Sequence, residues 1–213
     1  MAYRNEKEKY YVNLWDKQSF VKRVEQRIVY ITLVFTYPFL CECLHKNGSA
    51  MRVGPVGWAF DTKEKVMAKA KESAECTHDH PEGIKGAQAT ALCIFMARQG
   101  ASKEEIRKEI EKEFGYNLDF TCDGIRPTYT WGGTCQDSVP QAIVAFLDGK
   151  DFEDSIRNAI SIGGDSDTIG CITGSIAEAF YGIPQNIREK GFAYLPKEFK
   201  AIVSEFESRF GKK

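Results

Sequence analysis

The sequence predicts an all-α protein from residue 47 onward. Helix-starting signals recur along this part of the chain, strand signals are nearly absent from it, and Ile169, Ile172 and Ile176 recur at helical spacing. The chain has 213 residues, of which 43% are hydrophobic, and this is enough for one globular domain with a sizeable core. We therefore expect a helical domain over residues 47–213, preceded by an atypical segment, residues 1–46, whose fold the pattern leaves undefined.

Most of the helix boundaries are marked by capping residues, prolines or glycines. The segment Ser102-Lys103-Glu104-Glu105 is a capping box, in which the side chains of the serine and the last glutamate each bond the backbone N–H of the other. In chain order, helices are predicted from 61 or 62 to 75, from 81 to Gly100, over 102–114, 138–147 and 152–162, and from 165, 184 and 196. Residues 47–52 are predicted to form a loop of small residues, and residues 116–136 to be rich in turns.

The first 46 residues have a different character. A polar helix is expected over residues 16–27, and residues 28–37 are rich in β-branched and aromatic side chains, which suits either a strand or a buried helix. Cys41, Cys43 and His45 alternate along the chain, but a fourth ligand at a recognised zinc spacing is missing. This segment therefore makes only a weak case for a zinc site.

The charge distribution argues against nucleic acid and membranes as partners. Lysine and arginine together number 29 and aspartate and glutamate 30, and no long basic or acidic block is present. The most apolar run, residues 28–40, is short for a bilayer span and contains Pro38. The first residues are charged and no early apolar core leads to a cleavage site, so we expect a cytoplasmic protein whose seven cysteines are reduced.

The strongest chemical signal is the segment Gly163-Gly164-Asp165-Ser166-Asp167-Thr168. The two glycines allow a tight turn, and two carboxylates and a hydroxyl follow just as an apolar helix begins. Hard oxygen donors in this arrangement suit Mg²⁺ or Mn²⁺. An aspartate before a helix is, however, more often an N-cap, so capping is the competing interpretation. An EF-hand is excluded, because Ile169 and Ile176 occupy positions that require oxygen ligands.

Two further segments carry polar groups between predicted helices. Thr77-His78-Asp79-His80-Pro81 ends one helix and starts the next, and its two histidines alternate so that both could face one ligand. Asn47-Gly48-Ser49 could present backbone N–H groups and polar side chains to a phosphate. Taken separately, the first is an ordinary polar interhelical turn and the second an ordinary Asn-Gly turn signal.

Taken together, residues 47–53, 77–83 and 163–168 resemble, in order and spacing, the motifs of the ADP-ribosylglycohydrolases, the family that includes the dinitrogenase reductase-activating glycohydrolase. The resemblance covers about residues 47–210. It implies an all-α fold with a centre of two Mg²⁺ or Mn²⁺ ions in a cleft. It also implies hydrolysis of the glycosidic bond between ADP-ribose and an acceptor, so the expected partner is an ADP-ribosylated protein or a small molecule that contains ADP-ribose.

The resemblance also assigns roles to individual residues. Asp165, Asp167 and Thr168 match one half of the metal ligand set, and Asp165 is expected to be the catalytic residue, bridging the metal ions. The residues expected to contact the ligand are Asn47, Gly48, Ser49, His78, Gly163 and Gly164. An oxocarbenium-like transition state at the anomeric carbon would be favoured by a nearby carboxylate and by the charge of the metal ions.

The sequence departs from the family in its N-terminal portion. The family carries a Thr-Asp-Asp motif there that supplies the other metal ligands, whereas Asp16 stands alone in residues 1–46 and the sequence contains no Asp-Asp pair. We therefore expect the family's N-terminal portion to be missing, and one metal ion or none in place of two. The alternative function is a catalytically impaired relative, or an ADP-ribose-binding module that lacks half of the metal site.

Overall fold

A computed structural model describes residues 46–211 of the protein. The predictions for residues 16–27 and 28–37, and for Cys41, Cys43 and His45, lie outside the described residues. The helices are α1 Gly48–Arg52, α2 Gly54–Ala59, α3 Lys63–Glu75, α4 Pro81–Arg98, α5 Lys103–Phe114, α6 Cys122–Ile125, α7 Cys135–Asp148, α8 Phe152–Ser161, α9 Ser166–Tyr181, α10 Gln185–Tyr194 and α11 Lys197–Phe210. Residues 46–211 contain no strand, and Lys46 and Thr134 form an isolated antiparallel bridge. The all-α fold class is confirmed.

Helix α4 lies at the centre of the core. It is built largely from small apolar residues, and it contacts α1, α2, α3, α5, α7 and α9. Small side chains allow this close approach on several sides. At Gly86, for example, a Cβ atom would lie only 2.5 Å from Cys135 Sγ at the start of α7. A helix buried on most of its circumference fixes the positions of the helices around it.

Helix starts agree with the sequence where local capping decides them. The capping box is confirmed, because Ser102 Oγ accepts from the backbone N–H of Glu105 while the Glu105 carboxylate accepts from the backbone N–H of Ser102. Thr62 caps α3 as predicted, and α10 and α11 begin directly after Pro184 and Pro196.

The structure differs from the prediction in residues 48–52 and at the start of α7. Residues 48–52, predicted as a loop, form helix α1, in which Ser49 and Ala50 are buried. Packing of α1 against α4 and α9 outweighs the local preference of an Asn-Gly-Ser sequence for a turn. Helix α7 begins at Cys135, three residues before the predicted start, because Thr134 caps it by accepting from the backbone N–H of Asp137.

The last two helices lie at the periphery. None of their side chains is fully buried, and an ion pair between Arg188 and Glu207 links them. Over residues 46–211, no helix combines the length and the hydrophobicity needed to cross a membrane.

Candidate active site

The turn between α8 and α9 depends on its two glycines. Gly163 and Gly164 have φ angles of +81° and +62°, which are favourable for glycine and strained for other residues. At Gly164, a Cβ atom would also overlap the ring of Tyr129 and approach the Thr130 carbonyl. The close approach of Tyr129 adds a steric reason for glycine to the conformational one. This turn sets the direction in which Asp165 leaves the backbone.

Asp165 occupies the N-cap position of α9 but does not cap the helix. Its side chain makes no capping hydrogen bond, and its Oδ2 accepts from Asn47 Nδ2 at 2.6 Å. The same amide group donates to Ser138 Oγ at 2.8 Å, and Ser138 Oγ donates onward to the Gly132 carbonyl. The capping interpretation is therefore wrong for this side chain. The Asn47 amide instead joins the start of α1, helix α7 and the start of α9.

The carboxylate of Asp165 has an unusual electrostatic environment. Partial burial raises the pKa of Asp165, the neighbouring Asp167 raises it further, and hydrogen bonds from Asn47 and Thr168 act in the opposite direction. Asp167 is exposed, whereas Thr168 is buried, with its Oγ1 3.4 Å from Met51 Sδ. The three residues predicted as metal ligands thus lie together at the first turn of α9.

The predicted ligand-contacting residues of the Asn47 segment separate into two groups. Asn47 faces Asp165, and a Cβ atom at Gly48 would lie 3.0 Å from His78 Nε2. Ser49 instead points into the core, where its hydroxyl donates to the Gly83 carbonyl at 2.8 Å. The side chain of Ser49 is 1% exposed, because the helical geometry of α1 turns it toward α4. Its assignment as a ligand contact remains a prediction.

His78 is buried between α1 and the start of α4. Its exposed fraction is 5%, and its Nδ1 lies 2.7 Å from Thr77 Oγ1 and 3.5 Å from Arg52 Nη1. Desolvation by burial, together with the positive charge of Arg52, lowers the pKa of His78 to about 4. His78 is therefore a neutral imidazole at physiological pH. His80, its partner in the sequence pattern, caps α4 by accepting from the backbone N–H of Glu82.

Three residues that the sequence analysis did not assign to the site contact its residues. Ser138 shares the Asn47 amide with Asp165, Tyr129 packs on Gly164, and Arg52 contacts His78. Arg52 lies within the 47–53 motif, whereas no local pattern marks Ser138 or Tyr129, whose side chains reach the site through tertiary packing. Within residues 46–211, no group of three or more His, Cys, Asp or Glu side chains is arranged to hold a metal ion.

These features define an all-α protein in which polar residues at the start of α1 contact both the turn before α4 and the start of α9 with its two carboxylates. A family model described as ADP-ribosylglycohydrolase matches residues 21–210. The chain belongs to the ADP-ribosylglycohydrolase family. The matched range begins before Asn47, the residue at which the recognised motifs start.

Similar proteins have been described in several organisms. An uncharacterized protein of Archaeoglobus fulgidus is 30% identical over 65% of this chain and 50% of its own length. The ADP-ribosylhydrolase ARH3 of Homo sapiens is 29% identical over 65% of this chain and 51% of its own length. The ADP-ribosylarginine hydrolase Tri1 of Pseudomonas putida is 26% identical over 64% of this chain and 38% of its own length. The chain thus spans about half the length of the curated relatives that it matches, or less.

One solved structure, an ADP-ribosylglycohydrolase-related protein complex, superimposes with a TM-score of 0.66. It is 22% identical in sequence, and the alignment covers 94% of this chain and 78% of that chain. This likeness supports the fold.

Proposed function

We propose that the protein is a metal-dependent hydrolase that removes ADP-ribose from a protein side chain or a small acceptor. The observation that carries the proposal is the Asp165 carboxylate, which does not cap its helix and is held instead by the Asn47 amide from a distant motif. The pKa of this carboxylate is also raised by burial and by Asp167, and carboxylates with perturbed pKa values cluster at functional sites. The names of the relatives, an ADP-ribosylhydrolase and an ADP-ribosylarginine hydrolase, support the same reaction class.

The donor set at the start of α9 suits Mg²⁺ or Mn²⁺. Mg²⁺ is usually bound through one or two carboxylates, with water and substrate phosphates completing its coordination. Asp165 and Asp167 supply two carboxylates. Burial, and then the neighbouring Asp167, raise the pKa of Asp165, and a bound cation would favour its charged form. We assign Asp165, Asp167 and Thr168 as the residues that would hold the ion. Because only two carboxylates and a hydroxyl are available, we expect weak binding of the metal ion. The binding should tighten when the phosphates of a diphosphate complete the coordination.

In the proposed reaction, Asn47 and Asp165 have different roles. The bound cation, when present, supplies positive charge that polarises the ribose hydroxyls and the attacking water. Asn47 fixes the orientation of the Asp165 carboxylate through its 2.6 Å hydrogen bond. Asp165 then acts as the catalytic carboxylate, because its negative charge favours an oxocarbenium-like transition state at the anomeric carbon.

The remaining predicted contacts would hold the ADP-ribose itself. Gly48 and His78 lie side by side, so a ligand against Gly48 would also meet the imidazole. Gly163 and Gly164 would contribute backbone groups next to the carboxylates, and the space beside Gly163 is open. Ser49 would contribute through the backbone of α1, since its hydroxyl is bonded to the Gly83 carbonyl.

A second candidate function is an ADP-ribose-binding module without hydrolytic activity. The observation in its favour is that, in the described part of the chain, no third acidic, histidine or cysteine side chain joins Asp165 and Asp167 at a metal-binding distance. An incomplete ligand set can retain ligand binding while the chemical step is lost.

The deciding experiment is calorimetric titration of MgCl₂ and MnCl₂ into the full chain, with and without ADP-ribose, followed by hydrolysis assays on ADP-ribosylated peptides. The hydrolase hypothesis expects metal binding that ADP-ribose tightens, together with metal-dependent release of ADP-ribose. Binding of ADP-ribose without release would favour the binding module. Absence of both metal and ADP-ribose binding would contradict both functions.

Two variants separate a catalytic from a capping role for aspartate. Asp165→Ala should lower metal affinity at least tenfold while leaving α9 largely stable, because its carboxylate makes no capping bond. The matched control is Asp151→Ala, since Asp151 does cap its helix, α8, by accepting from the backbone N–H of Asp154. The control should lose about 1 kcal/mol of stability with no change in metal affinity. Equal effects of the two variants would contradict the assignment.

A further inference from the structure

Two polar side chains, those of Thr77 and Arg52, approach one nitrogen of His78. Arg52 Nη2 donates to Thr77 Oγ1 at 2.6 Å, and Thr77 Oγ1 lies 2.7 Å from His78 Nδ1. Arg52 Nη1 also approaches Nδ1, at 3.5 Å. Arginine can only donate, so Thr77 Oγ1 accepts from Arg52 and its own proton is available for the imidazole.

This order of donors determines which ring nitrogen carries a proton. A proton on Nδ1 would face the Arg52 guanidinium and would leave the Thr77 hydroxyl proton without this acceptor. A lone pair on Nδ1 can instead accept from the Thr77 hydroxyl and also faces the Arg52 guanidinium favourably. In a neutral imidazole, the proton then resides on Nε2.

The Nε2 side of the ring faces Gly48, the first residue of α1, which is partly exposed. A Cβ atom at Gly48 would lie 3.0 Å from Nε2, so this nitrogen points at the backbone of the first residue of α1. The preceding residue, Asn47, holds the Asp165 carboxylate. A proton on Nε2 is thus presented beside Gly48, whose chain neighbour Asn47 binds the Asp165 carboxylate.

We propose that Arg52 and Thr77 are positioning residues that hold His78 as its Nε2–H tautomer, so that it offers a neutral hydrogen-bond donor to an oxygen of ADP-ribose bound against Gly48. The identity of the ligand rests on the proposed function, whereas the tautomer rests on the contacts of the three side chains. The low pKa of His78 keeps the ring neutral at physiological pH, so that only one of its two nitrogens carries a proton.

A purely structural role for the same residues makes different predictions. Arg52 Nη2 also donates to the Ser73 carbonyl in the last turn of α3, at 2.7 Å. If the cluster served only to close the end of α3, loss of the Thr77 hydroxyl would lower stability without any change in ligand affinity.

The test combines nitrogen-15 NMR of the imidazole groups with calorimetric titration of ADP-ribose, on the wild type, Thr77→Ser and Thr77→Val. The chain has three histidines, and the signal of His78 is assigned from its loss in His78→Gln. We expect an unprotonated Nδ1 in the wild type and in Thr77→Ser, which keeps the hydroxyl. Thr77→Val, nearly the same shape, should lose the tautomer preference and bind ADP-ribose about tenfold more weakly, the equivalent of about 1.4 kcal/mol.

The outcomes separate this inference from the proposed function. A wild type that binds ADP-ribose but carries the proton on Nδ1 overturns the inference and leaves the function standing, as does a Thr77→Val variant with unchanged affinity. A wild type that does not bind ADP-ribose overturns the proposed function, and the ligand role of His78 with it. The wild-type spectrum decides the tautomer even if Thr77→Val fails to fold.

Discussion

At the scale of single residues, the geometry of the site depends most on the Asn47 side chain. One amide group donates to two acceptors, Ser138 Oγ and Asp165 Oδ2, and the residue is only 7% exposed. An amide shared between a helix and a carboxylate fixes the carboxylate more firmly than solvent would. Because the hydrogen bond favours the charged carboxylate, it also counteracts the rise in the pKa of Asp165.

Replacing Asn47 with alanine should therefore raise the pKa of Asp165 and lower the affinity for Mg²⁺. It should also cost about 1–3 kcal/mol of stability, because buried polar partners lose a donor. Carboxyl NMR titration and urea unfolding measure the two effects. The matched control is Ser138→Ala, which removes the other acceptor and should leave the pKa of Asp165 unchanged. A shift of that pKa in the control but not in Asn47→Ala would refute this account.

The buried imidazole of His78 predicts a pH dependence of stability. Its pKa is about 4 in the folded protein, below the ordinary value of 6.5 that it has when unfolded, so the unfolded state binds more protons between these values. The free energy of unfolding should consequently rise by about 3 kcal/mol as pH increases from 4 to 6.5, and the contribution is fully present above 6.5. Urea unfolding of the wild type and His78→Gln across this range measures it. Identical pH slopes in the two proteins would contradict the prediction.

Local sequence patterns nominate the candidate site residues, but they do not contain the contacts between them. Asp165 and Asp167 stand out because two carboxylates follow two glycines at a helix start, which is a local pattern. The hydrogen bond between Asn47 and Asp165 joins residues 118 positions apart, so no local pattern contains it. The sequence also does not show that the Ser49 side chain points into the core. That direction follows from the helical conformation that tertiary packing imposes on α1.

At the scale of the elements, the turn between α8 and α9 offers a matched pair of glycines. Both have positive φ, but a Cβ atom at Gly163 meets nothing within 4 Å, whereas at Gly164 it overlaps the Tyr129 ring. Gly163→Ala should cost about 1–2 kcal/mol, the conformational penalty alone. Gly164→Ala should cost about 1–3 kcal/mol more, because the ring must move.

The two variants should also differ in metal binding. In Gly164→Ala, displacement of Tyr129 should shift the turn that positions Asp165. The Mg²⁺ affinity of Gly164→Ala should therefore fall further than that of Gly163→Ala. Urea unfolding and calorimetric titration of the same preparations give both quantities. Equal stability losses in the two variants would show that Tyr129 does not constrain the turn.

Helix boundaries were predictable where a side chain caps its own helix. The box at Ser102 and Glu105 acts within one turn, and it is seen as predicted. The start of α7 was misplaced because Thr134, a weaker signal inside a turn-rich stretch, is the cap, and because Pro140 can follow in the second turn of a helix held by core packing. A helix end can therefore be predicted from the sequence where a nearby side chain caps it. Where tertiary packing determines the end, the sequence does not reveal it.

At the scale of the whole molecule, helix α4 connects the parts of the site. The turn before it carries His78, α1 packs on it, and α7, which supplies Ser138, crosses it near Gly86. Small residues at the crossing bring α7 close enough for Ser138 to reach Asn47. The stability of the core and the geometry of the site are consequently linked through the same contact.

Gly86→Ala should thus destabilise the protein, although alanine is the better helix former. The added methyl group would lie 2.5 Å from Cys135 Sγ and 2.8 Å from its Cβ, and overpacking of this kind costs about 1–3 kcal/mol. Gly191→Ala is the matched control, because Gly191 lies within α10 and a Cβ there meets nothing within 4 Å. The control should instead gain about 0.5–1 kcal/mol from helix propensity. Urea unfolding of both variants measures the contrast.

A double-mutant cycle then tests whether the contact with Cys135 is the cause. In a Cys135→Ala background the sulfur is gone, so the cost of Gly86→Ala should shrink by about 0.5–3 kcal/mol, the range seen for residues in direct contact. Some cost should remain, because the Cβ of residue 135 stays close. If Gly86→Ala costs the same in both backgrounds, the strain lies elsewhere along α4, and α7 is not positioned by this crossing.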